Sequence, residues 1–444
     1  MKEVKGISVV GLGKLGLCIA ASFADKGYQV FGVDVDMGKI EKINQGISPI
    51  EETGLAALLK QAKKNISASG DSEAAVLKSD VTFIVVATPS LAGGSFSNAY
   101  LEQALERIGA ALKKKKEYHL VVITSTVMPK TSEKVAKFIL EKTSGKKFGR
   151  DFGLAYNPEF IALGSVIRDF LNPDFILIGE SRKKDGDILE AIYRRTCDNS
   201  PRFARMSLLN AEITKITLNC YVTTKITFAN SVAALCESLE GADANVVTQA
   251  IGLDSRIGAK YLRPGLGFGG PCFPRDNVAF AAFARSLETQ AKLAEMVDEV
   301  NRDQVSRIVS RIKEILAAKN ISKKAARIGF LGLAYKPNTP VIDDSQALNI
   351  AQMLVNEGFQ LNVYDPLALA HARSVLGDAV VYAKSADACL AAADLGVIAT
   401  PYEEFKQIDF KKLRKNIVIL DCWMLLGDPR GINIQHLGVG PRIK

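Results

Sequence analysis

The chain has 444 residues, enough for two or three domains that each bury a hydrophobic core. Its formal charge of +9 fits anionic ligands, but the basic residues are not interleaved with aromatic ones as in proteins that bind single-stranded nucleic acid. No stretch offers about 20 uninterrupted apolar residues, and the N-terminal residues lack a signal-peptide pattern. We therefore expect a cytoplasmic enzyme that binds neither nucleic acid nor membranes.

Residues 5–36 have the pattern of a βαβ unit, in which an apolar strand leads through a glycine turn into a helix and a second strand. In the dinucleotide-binding fingerprint, Gly11 makes the tight turn, Gly13 admits the pyrophosphate and Gly16 packs the helix on the strand. Asp34 ends the second strand, where a carboxylate accepts hydrogen bonds from ribose hydroxyls and repels a 2′-phosphate. We therefore predict NAD as the cofactor in preference to NADP, although Lys39 could lie near a 2′-phosphate.

Near-continuous apolar runs at 79–90 and 119–129 are typical of strands in a parallel sheet that is covered on both faces. Because ligands bind at the carboxyl ends of such strands, Thr88, Ser125 and Thr126 are candidates to line the pocket. The alternative for Thr88 and Ser125 is that their hydroxyls cap the next helix. Between these strands, the basic run LKKKKE at 112–117 is interpreted as a solvated face.

A helix of about thirty residues is predicted from residue 210 onwards, ended by Gly241. It is long enough to bridge domains and to form a dimer interface. Lys215 and Asn219 are four residues apart and so lie on one face of it. Two polar side chains in an otherwise apolar stretch need partners, because an unpaired buried polar group costs about 1–3 kcal/mol.

The stretch RPGLGFGGPCFPRDN at 263–277 places Cys272 after a glycine-rich segment. The glycines would allow a ligand to approach this loop closely. Cys272 is either a nucleophile or a small buried hydrophobic residue. Asp276 can reach back towards it if a helix begins here, and a role as N-cap of that helix is compatible with this function. The seven cysteines lack CxxC spacing and the three histidines lie far apart, which argues against a disulfide framework and a metal site.

The last third repeats the order of the first, with ARIGFLGLAYKPNT echoing GISVVGLGKLG and AADLGVIATPYEEF echoing SDVTFIVVATPS. We predict an α/β protein with two Rossmann-like doubly wound lobes joined by a central helical dimerisation domain. The predicted domains are 1–202, 203–321 and 322–444. The second lobe has lost a fingerprint glycine, so its turn fits a dinucleotide poorly. Lys336 there is either a phosphate ligand or an ordinary surface lysine.

The motifs GLGKLG with Asp34, STVMP, YNPEFIALG, EITKITLN, GFGGPCFPRD and GLAYKPNT occur in one order along the chain. On these motifs the sequence resembles the UDP-glucose/GDP-mannose dehydrogenase family over essentially its whole length. The resemblance implies an NAD-dependent four-electron oxidation of the C6 alcohol of a nucleotide sugar, through a thiohemiacetal and a thioester on Cys272. It also implies a homodimer or higher homo-oligomer.

The resemblance, together with the motifs, defines three sets of residues. The catalytic set is Cys272, Lys215, Asn219, Asp276, Glu159 and Thr126. The cofactor set is Gly11, Gly13, Lys14, Leu15, Gly16, Asp34, Lys39, Thr88, Ser125 and Thr126. The nucleotide-sugar set is Glu159, Phe160, Lys215, Asn219, Arg256, Tyr261, Leu262, Gly269, Phe273 and Lys336.

The resemblance assigns a role to most of the catalytic set. Lys215 stabilises an oxyanion or relays a proton, and Asn219 holds water or the oxyanion. Glu159 is the general base of thioester hydrolysis, assisted by Thr126 and Asp276. Arg256 reaches the sugar bound to the partner subunit.

Four residues depart from the family pattern: Lys14, Pro271, Arg275 and Asp343. The spacing from Cys272 to Asp276 survives, so activity is expected. UDP-glucose is the leading substrate, with UDP-N-acetylhexosamines and GDP-mannose as alternatives. Two alternatives of another class are a two-electron hydroxy-acid dehydrogenase and an NAD-binding protein without turnover.

Overall fold

The computed structural model describes residues 3–427 and 432–441. The chain forms two compact units, residues 1–217 and 218–444. The division falls within one long helix, α9, Leu208–Glu237. The three-domain division made from the sequence stays a prediction.

The first unit is built on an eight-stranded sheet of order β3-β2-β1-β4-β5-β6-β7-β8. All its strand pairs are parallel except β6 with β7. Its strands are β1 Gly6–Val10, β2 Gln29–Val33, β3 Ile66–Ser69, β4 Val81–Ile84, β5 His119–Ile123, β6 Phe152–Tyr156, β7 Phe175–Glu180 and β8 Arg202–Ser207. Its helices before α9 are α1 Lys14–Asp25, α2 Met37–Gln45, α3 Leu55–Ala62, α4 Ser72–Lys78, α5 Ala99–Lys114, a π turn Ser132–Ala136 continued by α6 Lys137–Ser144, α7 Val166–Leu171 and α8 Lys183–Thr196.

The second unit contains a parallel six-stranded sheet of order β11-β10-β9-β12-β13-β14. Its strands are β9 Arg327–Leu331, β10 Gln360–Tyr364, β11 Val381–Tyr382, β12 Leu395–Ile398, β13 Val418–Asp421 and β14 Asn433–His436. Its helices after α9 are α10 Ala244–Gly252, α11 Phe273–Ser286, α12 Lys292–Ala318, α13 Gln346–Asn356, α14 Leu369–Leu376 and α15 Ala386–Leu390, with 3₁₀ turns Glu403–Gln407 and Phe410–Lys412. The predicted pair of Rossmann-like lobes and the helical region between them are confirmed.

In both sheets the strand order reverses beside the first strand, β1 or β9. Such a reversal opens a crevice at the carboxyl ends of the strands, where ligands of doubly wound folds bind. The strands lining it are buried on both faces; β1, β4 and β5 expose none of their residues. Their near-continuous apolar sequences follow from this position.

The structure corrects two details of the sequence interpretation. Helix α9 ends at Glu237, four residues before Gly241, because the chain turns there and the Leu239 amide donates to the Cys236 carbonyl. Lys115 does not lie on a solvated face. It is 6 % exposed, and its ammonium donates to three carbonyls at the end of α4, those of Val76 at 2.9 Å, Leu77 at 3.1 Å and Ser79 at 2.7 Å.

Candidate active site

The glycine turn after β1 has the geometry that the fingerprint requires. Gly11 has a φ of +95°, which favours glycine, and a Cβ there would lie 2.4 Å from the Val85 carbonyl oxygen. A Cβ on Gly16 would lie 1.9 Å from the Gly11 oxygen. A Cβ on Gly13 would meet nothing within 4 Å. Gly11 and Gly16 are therefore required by the fold, whereas Gly13 leaves open space beside the turn.

Helix α1 begins at Lys14 directly after this space. Within the described residues no side chain caps it, so amides of its first turn remain available to an anion. At the end of β2, Asp34 accepts hydrogen bonds from the amides of Leu12 at 2.8 Å and Asp36 at 2.9 Å and stays partly exposed. An uncapped helix start and a fixed carboxylate fit the pyrophosphate and a ribose of NAD. The ammonium of Lys39 lies 3.9 Å from the Asp36 carboxylate.

The hydroxyl residues after β4 and β5 connect the two loops. Thr88 donates to the Thr126 carbonyl at 2.7 Å, and Ser125 donates to the Val86 carbonyl at 2.7 Å. The alternative that Thr88 and Ser125 cap the following helices is therefore wrong. Their hydrogen bonds fix the loops at the carboxyl ends of the two strands, where Thr126 also lies.

Glu159 follows β6 and lies against two groups of its own unit. The Tyr193 hydroxyl is 2.8 Å from Glu159 Oε1, and the Lys215 ammonium donates to the Glu159 carbonyl at 2.6 Å. The same ammonium lies 4.6 Å from the centre of the Phe160 ring. Burial raises the pKa of Glu159 to about 7, against the opposing effects of Tyr193 and Lys215. The carboxyl group is thus suited to exchange a proton near neutral pH.

In the second unit Cys272 is exposed, and it occupies the N-cap position of α11. The other six cysteines, all in the described residues, are buried or half-buried. The alternative that Cys272 is a buried hydrophobic residue is therefore wrong. The partial positive charge of the helix start favours negative charge on a sulfur placed there.

Asp276 lies in the first turn of α11 and is 1 % exposed. Its carboxylate accepts a 2.6 Å hydrogen bond from the Asn219 amide, while its own amide donates to the Cys272 carbonyl at 2.8 Å. Because Cys272 takes the N-cap position, the interpretation of Asp276 as the N-cap is wrong. The structure joins Asp276 to Asn219 in one unit and Glu159 to Lys215 in the other, and both Asn219 and Lys215 stand on α9.

The glycines before Cys272 pack against the protein itself. A Cβ on Gly269 would lie 2.3 Å from the Asp344 carbonyl oxygen, and one on Gly270 would lie 2.5 Å from the Tyr335 ring. Asn301 forms hydrogen bonds to both backbone groups of Phe268, at 2.8 and 2.9 Å. The prediction that these glycines make room for a ligand is wrong. The absence of side chains at Gly269 and Gly270 instead allows the loop to pack closely against Asp344 and Tyr335 of the C-terminal lobe.

Four further predicted residues lie in the second unit: Arg256, Tyr261, Leu262 and Lys336. Arg256 is exposed and forms a 2.6 Å ion pair with Asp254, and Leu262 is 6 % exposed. Tyr261 has a φ of +63°, and its ring lies 6.3 Å from that of Phe273. Lys336 lies 5.9 Å from the centre of the Tyr335 ring.

The turn after β9 is occupied by an acid of its own lobe. Asp365, 1 % exposed, accepts from the amides of Leu333 at 2.7 Å and Ala334 at 2.9 Å. Its other oxygen accepts from two further amides and from the Tyr402 hydroxyl. These amides are therefore committed, which fits the expectation that this turn suits a dinucleotide pyrophosphate poorly.

Sequence reasoning missed Tyr193, whose hydroxyl contacts the Glu159 carboxyl group, and Asn157, which contacts the same hydroxyl. Asn157 lies two positions before Glu159 in the same motif, so its place in YNPEF was a usable signal. Tyr193 lies on α8, 34 residues away, and only the fold brings it here.

Models of the NAD-binding, central and UDP-binding domains of the UDP-glucose/GDP-mannose dehydrogenase family match residues 5–197, 209–303 and 329–428. The chain belongs to this family. It is 36 % identical over 418 residues to UDP-glucose 6-dehydrogenase of Haloferax volcanii, covering 93 % of this chain and 95 % of that protein. It is 37 % identical over 363 residues to GDP-mannose 6-dehydrogenase of Pseudomonas aeruginosa, covering 81 % of this chain and 80 % of that protein.

Among solved structures, a UDP-glucose dehydrogenase from the hyperthermophilic archaeon Pyrobaculum islandicum is similar, with a TM-score of 0.89 and 34 % identity over 98 % of both chains. As a member of the UDP-glucose/GDP-mannose dehydrogenase family, the chain is an NAD-dependent nucleotide-sugar dehydrogenase. In the described ranges, none of the helices is long and apolar enough to span a membrane.

Proposed function

We propose that the chain oxidises the C6 hydroxymethyl group of UDP-glucose to a carboxylate, through a covalent intermediate on Cys272. UDP-glucose is favoured because the similarity to the UDP-glucose 6-dehydrogenase of Haloferax volcanii covers 93 % of the chain, whereas the similarity to the GDP-mannose 6-dehydrogenase of Pseudomonas aeruginosa covers 81 %. The match of a UDP-binding domain model to residues 329–428 also supports a uridine nucleotide.

The observation that carries the covalent step is the exposed thiol of Cys272 at the start of α11. An alcohol becomes an acid by losing two hydrides, and an aldehyde can lose the second only after a nucleophile has added to it. In this proposal the Cys272 sulfur adds to the aldehyde carbon and gives a thiohemiacetal, whose oxidation gives a thioester. Water then displaces the sulfur, which releases the acid and restores the thiol. Bound NAD would accept each hydride, so two molecules are reduced for each sugar.

In this proposal the other polar residues of the predicted catalytic set take the proton and charge roles. Lys215, whose ammonium is fixed by the Glu159 carbonyl, would stabilise negative charge on the reacting oxygen. Asn219, fixed by Asp276, would do so through its amide. Glu159 would remove a proton from the hydrolytic water. Thr126 would help to position that water.

The ligand-binding roles follow the same proposal. Gly11, Gly13, Lys14, Leu15, Gly16, Asp34, Lys39, Thr88, Ser125 and Thr126 would line the NAD site. The residues that would contribute to the nucleotide-sugar site are Phe160, Arg256, Tyr261, Leu262, Phe273 and Lys336.

We also propose that α9 forms the interface of a homodimer. Tyr221, Phe228 and Leu235 are spaced by seven residues, hence along one face of the helix, and are 62, 52 and 63 % exposed. A row of large exposed apolar side chains is typical of an interaction surface. Phe228→Glu should convert the dimer to monomer in analytical ultracentrifugation, and an unchanged sedimentation coefficient would contradict this.

Replacement of Cys272 by serine tests the covalent step. Cys272→Ser should nearly abolish acid formation and leave NAD binding unchanged, because serine is a far poorer nucleophile in the same space. In the wild-type enzyme, rapid acid quench followed by mass spectrometry should reveal an acyl adduct on the Cys272 peptide. Cys236→Ala, at a buried site, should keep full activity. Normal acid formation by Cys272→Ser would contradict the proposal.

A further inference from the structure

The hydroxyl group of Tyr193 lies between two hydrogen-bond acceptors. Its oxygen is 2.5 Å from Asn157 Oδ1 and 2.8 Å from Glu159 Oε1. Tyr193 and Asn157 are each 1 % exposed. The polar groups of Tyr193 and Asn157 are therefore shielded from water and depend on neighbouring protein groups for their hydrogen bonds.

The orientation of the Asn157 amide is fixed by its other contact. Its Nδ2 donates to the Leu177 carbonyl at 2.9 Å, and a carbonyl oxygen can only accept. Asn157 Oδ1 consequently faces Tyr193 and needs a donor. A phenol carries one proton, so Tyr193 cannot donate to Asn157 and to an ionised Glu159 at once.

The neutral acid resolves this conflict. When Glu159 is protonated, its hydroxyl donates to Tyr193, and Tyr193 donates to Asn157. When Glu159 is ionised, either Asn157 or Glu159 faces a lone pair of the tyrosine oxygen. Both contacts of the Tyr193 hydroxyl, with Asn157 and with Glu159, can be hydrogen bonds at the same time only when Glu159 is protonated.

Other groups around Glu159 act on its charge as well. The Lys215 ammonium, bound to the Glu159 carbonyl, favours the ionised form. Burial and the charge of Glu159 raise the pKa of the Cys197 thiol. Burial opposes ionisation, and the resulting pKa of about 7 lies well above that of an exposed glutamate. A Tyr193 proton donated to Glu159 would lower this pKa, but Asn157 Oδ1 competes for the same proton.

We propose that Tyr193 and Asn157 are positioning residues that stabilise the protonated form of Glu159, the form this residue takes when it has accepted a proton. This rests on the proposed function, in which Glu159 takes a proton from the hydrolytic water. The proton then enters the one arrangement in which all three groups are hydrogen-bonded, and it returns to solvent after the acid leaves. Tyr193 thus stabilises the product of the proton transfer.

The test is an infrared titration of the ligand-free protein. The carbonyl band of a neutral carboxylic acid is followed against pH and assigned to Glu159 by its loss in Glu159→Gln. In the wild type the band should disappear with a midpoint near pH 7. A midpoint at the value of an ordinary glutamate would overturn the proposal without any further variant.

Substitution of Asn157 tests the link through Tyr193. Asn157→Leu removes the competing acceptor and frees the Tyr193 proton for the ionised carboxylate. The midpoint should fall by about one pH unit, the size expected for one hydrogen bond. Asn157→Ala should give the same direction if the leucine does not fold.

The link requires that the effect of Asn157→Leu be lost when Tyr193 is phenylalanine, since no hydroxyl then connects the two residues. An equal shift in both backgrounds, or an unchanged midpoint, would overturn the proposal. Tyr28→Phe serves as the matched control: Tyr28 packs on the same Phe23 and should leave the midpoint unchanged. The titration needs no substrate, so a failure of the proposed function would appear separately, as absent turnover.

Discussion

The amide of Asn219 donates a 2.6 Å hydrogen bond to the carboxylate of Asp276, in the first turn of the helix that Cys272 begins. Both side chains are buried, Asn219 at 6 % and Asp276 at 1 % exposure. A buried carboxylate is a strong acceptor, because a hydrogen bond to a charged group is about twice as strong as a neutral one. The contact therefore fixes the amide of Asn219 and leaves Asp276 in a supporting position.

Asp276→Asn keeps the shape of this acceptor and removes its charge. We expect kcat to fall about tenfold, because the charged bond exceeds a neutral one by roughly 1–1.5 kcal/mol. Steady-state NADH formation measures the loss. Asp298→Asn, which neutralises a buried acid paired with Arg302, is the control and should retain kcat. Equal losses in the two variants would assign Asp276 a purely structural role.

Two glycines of the turn after β1 have different roles, Gly16 in folding and Gly13 in cofactor binding. Gly16→Ala should destabilise the first unit, because its Cβ would meet the Gly11 oxygen at 1.9 Å. Gly13→Ala should leave the melting temperature unchanged and weaken NAD binding, because its Cβ would enter the open space beside the turn. Calorimetric unfolding and NAD titration measure the two effects. Unchanged NAD affinity in Gly13→Ala would place the pyrophosphate elsewhere.

The raised pKa of Glu159 predicts a pH dependence of hydrolysis. Below pH 7 the base is mostly protonated, so the rate of acid release should fall about tenfold per pH unit. Single-turnover release of the acid measures this rate between pH 5 and pH 8. A flat profile in the wild-type enzyme would exclude Glu159 as the base.

The same pKa affects stability with a defined sign. The pKa is about 7 in the folded state and about 4.5 in the unfolded chain, so the folded state binds more protons between these values. The free energy of unfolding contributed by Glu159 is therefore present below about pH 4.5 and is lost as the pH rises through about 7. Urea unfolding measures the effect: between pH 5 and pH 8 the free energy of unfolding should decrease less in Glu159→Gln than in the wild type.

Lys115 provides a test of the packing beside α4. Lys115→Met should lower the free energy of unfolding by about 2–3 kcal/mol, because buried carbonyls lose a charged donor. Lys114→Met is the matched neighbour. It removes an exposed ion pair with Glu73 and should cost under about 1 kcal/mol in urea unfolding. A similar cost for both would contradict the buried role of Lys115.

The features of the fold that the sequence predicted depend on residues close together along the chain. The strand before Gly11 and the acid after β2 predicted the first lobe because their spacing is set by one βαβ unit. The repeat of that order in the last third predicted the second lobe. Helix α9 followed from its apolar spacing, with an error of four residues at its end.

The contacts that were missed join residues distant in the sequence. Lys115 belongs to a basic run that is otherwise solvated, and only the end of α4 gives it buried partners. Gly269 and Gly270 suggested an open loop, whereas the segment around Asp344 and Tyr335 fills the space beside them. The Tyr193 hydroxyl reaches Glu159 from α8. Such contacts depend on the fold of the whole unit, which local patterns do not encode.

The ratio of NADH formed to UDP-glucose consumed tests the proposed four-electron oxidation most directly. The purified enzyme is incubated with excess NAD, and NADH is followed by absorbance while the sugar product is identified by mass spectrometry. A covalent four-electron oxidation at Cys272 predicts two NADH for each sugar and UDP-glucuronate as the product. One NADH for each sugar, with an aldehyde or ketone released, would contradict it.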